Sequence, residues 1–186
     1  KKLSLSFINN EINLSYLSML FTCFCFLVFI NAFNMFDGID LQASFYSLII
    51  LFIILLFYLD SLLIKVLLIN FIAYSYLNYK KKTFLGDSGT LLISFIIGYF
   101  FIKLYNLQRI EFADEIFIFM MIPGIDMIRL FFKRILIKQN PFHSDRLHIH
   151  HFLVTKFSNI KAVAIICFLI TSPIILMLAD INKLTI

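Results

Sequence analysis

Glycine, proline and charged residues are all scarce in this chain of 186 residues. Five Gly and three Pro exclude a collagen-like or flexible low-complexity chain. Only 15% of the residues are charged and 61% are hydrophobic, with a mean hydropathy of +0.95. A water-soluble globule cannot bury that much apolar surface. Since about 20 apolar residues cross a bilayer core of about 30 Å, the composition predicts a multi-pass membrane protein with material for about six crossings.

The three cysteines show no spacing typical of a metal site. Cys23, Cys25 and Cys167 all lie inside apolar runs, where cysteine behaves as a small hydrophobe. They therefore indicate neither a disulfide nor a redox compartment. The first apolar run begins at Leu14 and continues for about 20 residues, which favours a membrane span over a signal peptide.

Six apolar segments predict six membrane helices, because each segment is apolar on all sides as lipid-embedded helices are. They cover residues 14–34, 43–59, 62–79, 90–106, 112–132 and 160–179. The fifth contains Pro123-Gly124 with Asp126 just beyond, which predicts a broken helix beside a polar cavity. We therefore expect an all-α fold in which residues 1–186 form a single membrane domain.

Basic residues set the expected orientation, because cytoplasmic loops of membrane proteins are enriched in Lys and Arg. With the N-terminus outside, ten of the sixteen basic residues lie in the inner loops or at inner helix ends. The same topology places Asp37, Asp40, Asp87 and all four histidines on the cytoplasmic side. One membrane face is thus expected to carry the chemistry. The net charge of +5 is distributed between apolar runs and does not indicate nucleic acid as a partner.

The first inner loop combines two amides with two carboxylates. It reads Asn31-Ala-Phe-Asn34-Met-Phe-Asp37-Gly38-Ile39-Asp40. Polar groups at the end of a membrane helix are costly unless they are satisfied or used. Asp37 and Asp40 can share one helical face, and oxygen ligands of this kind suit a hard cation such as magnesium. The alternative is an ordinary loop in which Asn and Asp cap helix ends and Gly38 provides a turn.

The second inner loop is rich in basic and small polar residues. It reads Asn78-Tyr-Lys80-Lys81-Lys82-Thr-Phe-Leu-Gly86-Asp87-Ser88-Gly89-Thr90. Either Asp87 or Ser88 can cap the helix that follows. A helix N-terminus beside three lysines favours an anion, and Asp87 offers a cation ligand next to it. The lysines also fit the ordinary role of positive-inside anchors, and the glycine motif is not a dinucleotide or Walker loop.

The third inner segment ends in a cluster of histidines. It reads Asn140-Pro141-Phe142-His143-Ser144-Asp145-Arg146-Leu147-His148-Ile149-His150-His151. Imidazole suits zinc, but a zinc site needs further ligands in a closed geometry and the chain has no paired cysteines. The other interpretation treats His and Arg as donors that hold phosphate oxygens and stabilise charge that moves during transfer.

In order and spacing these motifs resemble the MraY/WecA family of polyprenyl-phosphate N-acetylhexosamine-1-phosphate transferases. The resemblance rests on the first loop from Asn31 to Asp40, on Phe84 to Thr90, on Asp126 with Arg134, and on Pro141-Phe142 with the run from Asp145 to His151. The His-Ile-His-His form is similar to the WecA-like branch, which uses UDP-N-acetylhexosamines.

The resemblance implies a reaction in which a polyprenyl phosphate, usually undecaprenyl phosphate, attacks the sugar-side phosphate of a UDP-sugar. The products are a lipid-diphospho-sugar and UMP, and Mg²⁺ is required, with Mn²⁺ as a substitute. The implied catalytic residues are Asp37, Asp40, Asp87, His148, His150 and His151, with Asp37 and Asp87 as metal ligands. The implied substrate-binding residues are Asn31, Asn34, Asn78, Lys82, Arg134 and Arg146. The implied setting is the bacterial inner membrane, with a cytoplasmic active site serving cell-envelope polysaccharide synthesis such as that of lipopolysaccharide.

The resemblance covers the second half of the family fold. The first half of family members carries a paired-aspartate motif, whereas this chain contains no Asp-Asp pair. A missing N-terminal half or a second copy in a homodimer is therefore the expected polypeptide partner. The alternative is a non-catalytic remnant or assembly partner in the same pathway. A transporter is the third hypothesis, although its charged groups would be expected nearer the midplane than at one interface.

Overall fold

The computed structural model describes residues 2–138, 140 and 148–184. Its helices are α1 (Leu17–Phe36), α2 (Gln42–Ile53), α3 (Leu62–Tyr79), α4 (Gly86–Asn106), α5 (Ala113–Leu136), α6 (Ile149–Lys156) and α7 (Asn159–Leu184). All six predicted apolar segments are helical, which confirms the all-α class. The described residues also include an antiparallel hairpin that was not predicted, formed by β1 (Lys2–Leu5) and β2 (Ile8–Asn13).

Four of the described helices are long and apolar enough to cross a membrane: Leu17–Phe36, Leu62–Tyr79, Gly86–Asn106 and Asn159–Ala179. The apolar helix Gln42–Tyr58 is shorter than a typical span. α5 has the length of a span, but it carries Asp114, Glu115, Asp126 and Arg129. The chain is thus a polytopic membrane protein, with fewer clearly spanning helices in its described part than the six that composition predicted.

The core lies where α1 packs between α4 and α5. Its centre is aromatic, because the rings of Phe33 and Phe36 both meet the ring of Tyr46 edge-on, with centroids 5.3 and 5.6 Å away. Gly98 allows α4 to approach α1 closely, since a Cβ at this position would lie 2.4 Å from the ring of Phe26. The packed aromatic centre holds the C-terminal end of α1 against α2.

α5 is continuous through Pro123, so the predicted break at Pro123-Gly124 is wrong. Proline has no N–H, which leaves the carbonyl of Phe119, one turn earlier, without its helical donor. The buried hydroxyl of Tyr46 on α2 donates a hydrogen bond of 2.8 Å to that carbonyl. The helix therefore passes Pro123 without leaving this acceptor unsatisfied.

The irregular turn lies instead at the end of α2. Residues Ile54–Tyr58 form a π-helical turn, in which the N–H of Leu59 donates to the carbonyl of Ile54 at 2.8 Å. The short second segment predicted from the sequence thus ends in a widened turn before Asp60.

Tyr46→Phe should lower the free energy of unfolding by about 1–3 kcal/mol, because it removes a side-chain hydrogen-bond donor from the buried carbonyl of Phe119. Pro123→Ala restores an N–H at that position, so Tyr46→Phe should cost clearly less in the Pro123→Ala background. Unfolding of the four proteins in detergent gives the coupling energy. Equal costs in the two backgrounds would contradict the role assigned to the Tyr46 hydroxyl.

The two ends of the helix bundle carry different features. The hairpin contacts the end where α4 stops and α5 starts, since the Ser4 hydroxyl donates to the Glu111 carbonyl at 2.7 Å and the Ser6 N–H donates to Asp114 at 2.9 Å. The opposite end gathers the loop after α1, the loop between α3 and α4, and the first residue of α7. This second end carries the candidate site.

Candidate active site

A cavity of about 400 Å³, here called the acidic cavity, opens at this end of the bundle. It is lined by Asn34, Asp37, Gly38, Ile39, Asp40, Tyr74, Asn78, Phe84, Leu85, Gly86, Asp87 and Asn159. The first and second inner loops thus meet as the sequence predicted. Three carboxylates share one opening.

The local structure explains how two of these carboxylates reach the cavity. Asp37 directly follows the last turn of α1, and its N–H still donates to the carbonyl of Phe33 at 3.2 Å. Asp87 lies in the first turn of α4, after Gly86, whose φ of +63° is in the left-handed region that favours glycine. A carboxylate in the first turn is stabilised by the unpaired N–H groups and the helix dipole.

The three carboxylates repel one another. Burial, together with the negative charges of Asp40 and Asp87, raises the pKa of Asp37 to about 6. A divalent cation between these groups would relieve the repulsion, and carboxylate oxygens are the ligands that Mg²⁺ prefers. The donor set therefore fits the predicted metal.

The carboxylates of the described residues do not complete the shell of a metal ion. Among the residues that the structure describes, no three His, Cys, Asp or Glu side chains converge closely enough to hold an ion by themselves. Mg²⁺ commonly takes only one or two carboxylates and completes its shell with waters and substrate phosphates. Asp37 and Asp87 could supply the protein's share.

Asn78 joins the first two inner loops. Its Oδ1 accepts a hydrogen bond of 2.6 Å from the N–H of Leu41, and its Nδ2 donates to the carbonyl of Thr83 at 2.9 Å. Leu41 has a φ of +73°, a left-handed conformation that is strained for a branched residue, so the Asn78 bond helps to hold that turn. Asn78 also lines the cavity, and its contact with substrate stays a prediction.

The other predicted polar contacts of these loops divide into two groups. Asn34 lines the cavity and accepts a hydrogen bond from the Thr90 hydroxyl, which ties α1 to α4. Asn31 instead is exposed and donates to the carbonyl of Leu27 at 2.8 Å within its own helix. Lys82 is also exposed, and neither Asn31 nor Lys82 is among the lining residues, so the structure does not bring these two predicted binding residues to the cavity.

Asp126 anchors the histidine segment to α5. Its Oδ2 lies 2.8 Å from Nδ1 of His148, and its Oδ1 accepts hydrogen bonds from Nη2 of Arg129 at 2.7 Å and from the N–H of Ile149 at 3.2 Å. His148 is the residue that precedes the first turn of α6. The sequence singled out Asp126 as part of a motif without giving it a role, because nothing in a sequence separation of 22 residues indicates this contact.

The histidines lie behind the wall of the acidic cavity and are not among its lining residues. The ring of His150 is 1% exposed, and its Nε2 would lie 1.8 Å from a Cβ on Gly38, so it fills the space that this glycine leaves open. The ring of His148 is parallel to it within 2°, with centroids 5.5 Å apart, and the half-buried ring of His151 lies 4.3 Å away on another side.

The three imidazoles, which the resemblance assigned together to the phosphates, lie in different surroundings, and their contact with phosphate stays a prediction. Burial, together with the neighbouring His151 and His148, lowers the pKa of His150 to about 4. The imidazole of His150 is therefore neutral at pH 7 and supports the loop at Gly38. The short α6 turns this ring inward, which sequence spacing could not show.

Two arginines were also predicted to bind substrate. Arg134 is buried in the last turn of α5 and is not among the residues that line the cavity. Arg146 lies outside the described residues, as do His143 and Asp145. The structure thus leaves the binding role of Arg146 as a prediction.

Tyr74, Phe84 and Asn159 line the cavity although sequence reasoning did not propose them as site residues. Tyr74 is hidden in the apolar run of α3, yet it lies four residues before Asn78 and therefore on the same helical face. That spacing is the signal that could have identified it. Phe84 is 83% exposed at the cavity, and Asn159 is the first residue of α7.

Apolar spans that end in a shared acidic cavity define a polytopic membrane protein with a polar site at one end of its helices. Residues 1–105 match the family model of glycosyl transferase family 4. This match covers more than half of the chain, which belongs to that family.

Bacterial proteins named undecaprenyl-phosphate alpha-N-acetylglucosaminyl 1-phosphate transferase are similar to the chain. The protein of Yersinia pestis is 31% identical over 149 residues, which cover 72% of this chain and 40% of the relative. That of Thermotoga maritima is 29% identical over 147 residues, covering 76% and 45%, and that of Haemophilus influenzae is 37% identical over 79 residues, covering 40% and 21%. The chain thus spans less than half the length of these relatives. No solved structure matches it.

Proposed function

We propose that the chain transfers a sugar 1-phosphate, of the N-acetylhexosamine type, from a UDP-sugar to undecaprenyl phosphate and releases UMP. The observation that carries this proposal is the convergence of Asp37, Asp40 and Asp87 on one cavity at the end of membrane helices. The names of the relatives support the same lipid phosphate and the same class of sugar phosphate.

The transfer joins two anions. An oxygen of the lipid phosphate forms a bond to the sugar-side phosphorus of the UDP-sugar, while the bond from that phosphorus to the bridging oxygen breaks and UMP leaves with the electron pair. The nucleophile is already ionised, so the step needs no base from the protein. What it needs is charge compensation, because repulsion between the reactants and charge on the leaving group both raise the barrier.

Asp37 and Asp87 would hold Mg²⁺, or Mn²⁺ in its place, with Asp40 beside them. When bound, the ion would offset charge on the diphosphate and on the departing UMP. The chain's own residues would orient the reactants: Asn34 and Asn78 fix the walls of the cavity, and the α4 N-terminus presents N–H groups toward anions.

The position of the cavity suits a lipid headgroup. A polyprenyl phosphate keeps its chain in the bilayer and its phosphate at the interface, where the α1, α3 and α4 spans end. We place this end at the cytoplasmic face of the bacterial inner membrane, in line with the Lys and Arg distribution. A transporter would need its charged groups nearer the midplane.

The direct test uses the full chain in nanodiscs that contain undecaprenyl phosphate, with labelled UDP-N-acetylglucosamine. We expect a lipid-linked labelled product and an equal amount of UMP, both lost with EDTA and restored by Mg²⁺ or Mn²⁺. Binding of the UDP-sugar without any product would contradict the transferase and favour the non-catalytic assembly partner. Cross-linking in the same nanodiscs tests whether a second copy accompanies the chain.

Tyr74→Phe should weaken binding of UDP-N-acetylglucosamine in the presence of Mg²⁺ by about 2- to 12-fold, the value of one neutral hydrogen bond. The hydroxyl of Tyr74 makes no hydrogen bond to another described residue, and its ring lines the acidic cavity. Calorimetric titration measures the affinity.

Tyr76→Phe is the matched control, because Tyr76 lies on the same helix with 63% of its surface exposed and outside the cavity lining. It should leave the affinity unchanged. Equal affinities for the two variants would show that the Tyr74 hydroxyl does not contact the UDP-sugar.

A further inference from the structure

We propose that Asp126 is a positioning residue: it fixes the ring of His148 and the first turn of α6, and through them it seats His150 against Gly38 in the wall of the acidic cavity. The proposal rests on the proposed transfer reaction. It assigns a task to a buried carboxylate that lies outside the cavity itself.

The first step of the argument is the hydrogen bond between Asp126 and His148. Asp126 is 5% exposed and accepts donors at both of its carboxylate oxygens. An ionised carboxylate can only accept hydrogen bonds, so Nδ1 of His148 must carry the hydrogen of the 2.8 Å contact. In neutral His148 this leaves Nε2 as the unprotonated nitrogen. Asp126 thereby selects one tautomer and one ring orientation, as carboxylate partners of functional histidines commonly do.

The second step is the start of α6. The first N–H groups of a helix have no partner within the helix, and Asp126 accepts one of them, from Ile149, at 3.2 Å. α6 has only eight residues, which gives it little stability of its own. The same carboxylate therefore holds both the residue before the helix and the first residue of the helix.

The third step links the anchor to the cavity. His150 lies in the first turn of α6, and its ring stacks on that of His148, parallel within 2° with centroids 5.5 Å apart, so a shift of this turn displaces His150. His150 is packed so closely on Gly38 that no Cβ fits between them. Gly38 lines the cavity between Asp37 and Asp40. Asp126 can thus influence the geometry of these two carboxylates without touching a substrate.

The opposite end of α5 offers a matched control. Asp114 accepts hydrogen bonds from the N–H and the hydroxyl of Ser6 and so holds the hairpin as Asp126 holds α6. Asp114 lies far along the helix from the histidines, near the first turn of α5. Asp114→Asn and Asp126→Asn therefore remove equivalent charges from one helix, and only the second should affect the site.

The test uses nitrogen NMR of the full chain labelled with ¹⁵N-histidine in nanodiscs, with His148 assigned by His148→Gln. We expect the Nδ1–H tautomer of His148 in the unsubstituted chain, in Asp114→Asn and in Asp126→Glu. Asp126→Asn should shift His148 toward the Nε2–H tautomer, because the new amide can donate to Nδ1.

In the transfer assay Asp126→Asn should lower kcat by about 10- to 100-fold with little change in KM for the UDP-sugar, which is the usual effect of removing a residue that orients a functional histidine.

Two outcomes would overturn the positioning role. An unchanged tautomer in Asp126→Asn would show that the carboxylate does not set the state of His148. A changed tautomer with full transfer activity would show that the orientation of His148 has no consequence at the cavity, while the proposed function stands. Absence of transfer in the unsubstituted chain would contradict the proposed function instead. In that case the NMR spectra of the unsubstituted chain and of Asp126→Asn still show whether Asp126 sets the tautomer of His148.

Discussion

Asp87→Asn is expected to lower sugar-phosphate transfer by at least about 100-fold while the chain keeps its fold, a loss of the size seen when a key charge-stabilising group is removed. The substitution keeps the shape of the side chain and removes the charge that would hold a divalent cation. It gives up a favourable carboxylate in the first turn of α4, but it also relieves the repulsion of Asp37, so the free energy of unfolding should change by no more than about 1 kcal/mol. Product formation and unfolding in the absence of divalent cations measure the two effects.

Asp60→Asn is the matched control for this prediction. Asp60 forms an exposed ion pair of 2.6 Å with Lys65 at the opposite end of the bundle, where exposed pairs contribute little. We expect full transfer activity from this variant. Full transfer activity in Asp87→Asn as well would contradict the role of the acidic cavity. An equal loss of activity in Asp87→Asn and Asp60→Asn would indicate a general effect of charge.

Gly38→Ala should produce the second large effect, because a Cβ at this position would lie 1.8 Å from Nε2 of His150. The imidazole is buried and held by the segment that Asp126 anchors, so either the ring or the loop between Asp37 and Asp40 must move. Overpacking of this kind typically costs about 1–3 kcal/mol of stability. Displacement of Asp37 should also lower transfer by at least about tenfold, since small misplacements of reacting groups are costly.

Gly124→Ala provides the comparison for Gly38→Ala. A Cβ at Gly124 meets no atom within 4 Å, and alanine favours the interior of a helix such as α5. This variant should be as stable as the unsubstituted chain, or slightly more stable, and should transfer normally. If Gly38→Ala behaved in the same way in unfolding and transfer measurements, the close packing of His150 on the loop would have no functional meaning.

The meeting of the two acidic loops could be predicted because it follows from span lengths. Helices of about membrane length that succeed one another with short loops place alternate connections at the same end. The loop after α1 and the loop before α4 therefore share a face, and the position of Asp37, Asp40 and Asp87 follows from the order of the apolar segments alone. The family resemblance pointed to the same residues.

Side-chain contacts between distant segments could not be predicted in this way. The break expected at Pro123 is absent because Tyr46, on another helix, supplies the missing donor. Asn31 looked equivalent to Asn34, but a different position around α1 lets it satisfy its amide within the helix. The contact of Asp126 with His148 depends on how α6 packs near α5, and hydrophobic periodicity in the sequence does not predict that packing.

The central claim is that the acidic cavity binds a divalent cation together with a UDP-sugar, and Mn²⁺ binding followed by electron paramagnetic resonance tests it most directly. The full chain in nanodiscs should bind one Mn²⁺ whose affinity rises when UDP-N-acetylglucosamine is added, and Asp37→Asn or Asp87→Asn should each weaken that binding at least about tenfold, while Asp60→Asn should not. The claim would be contradicted if both cavity variants bound Mn²⁺ with unchanged affinity, or if the UDP-sugar did not change the Mn²⁺ affinity of the unsubstituted chain.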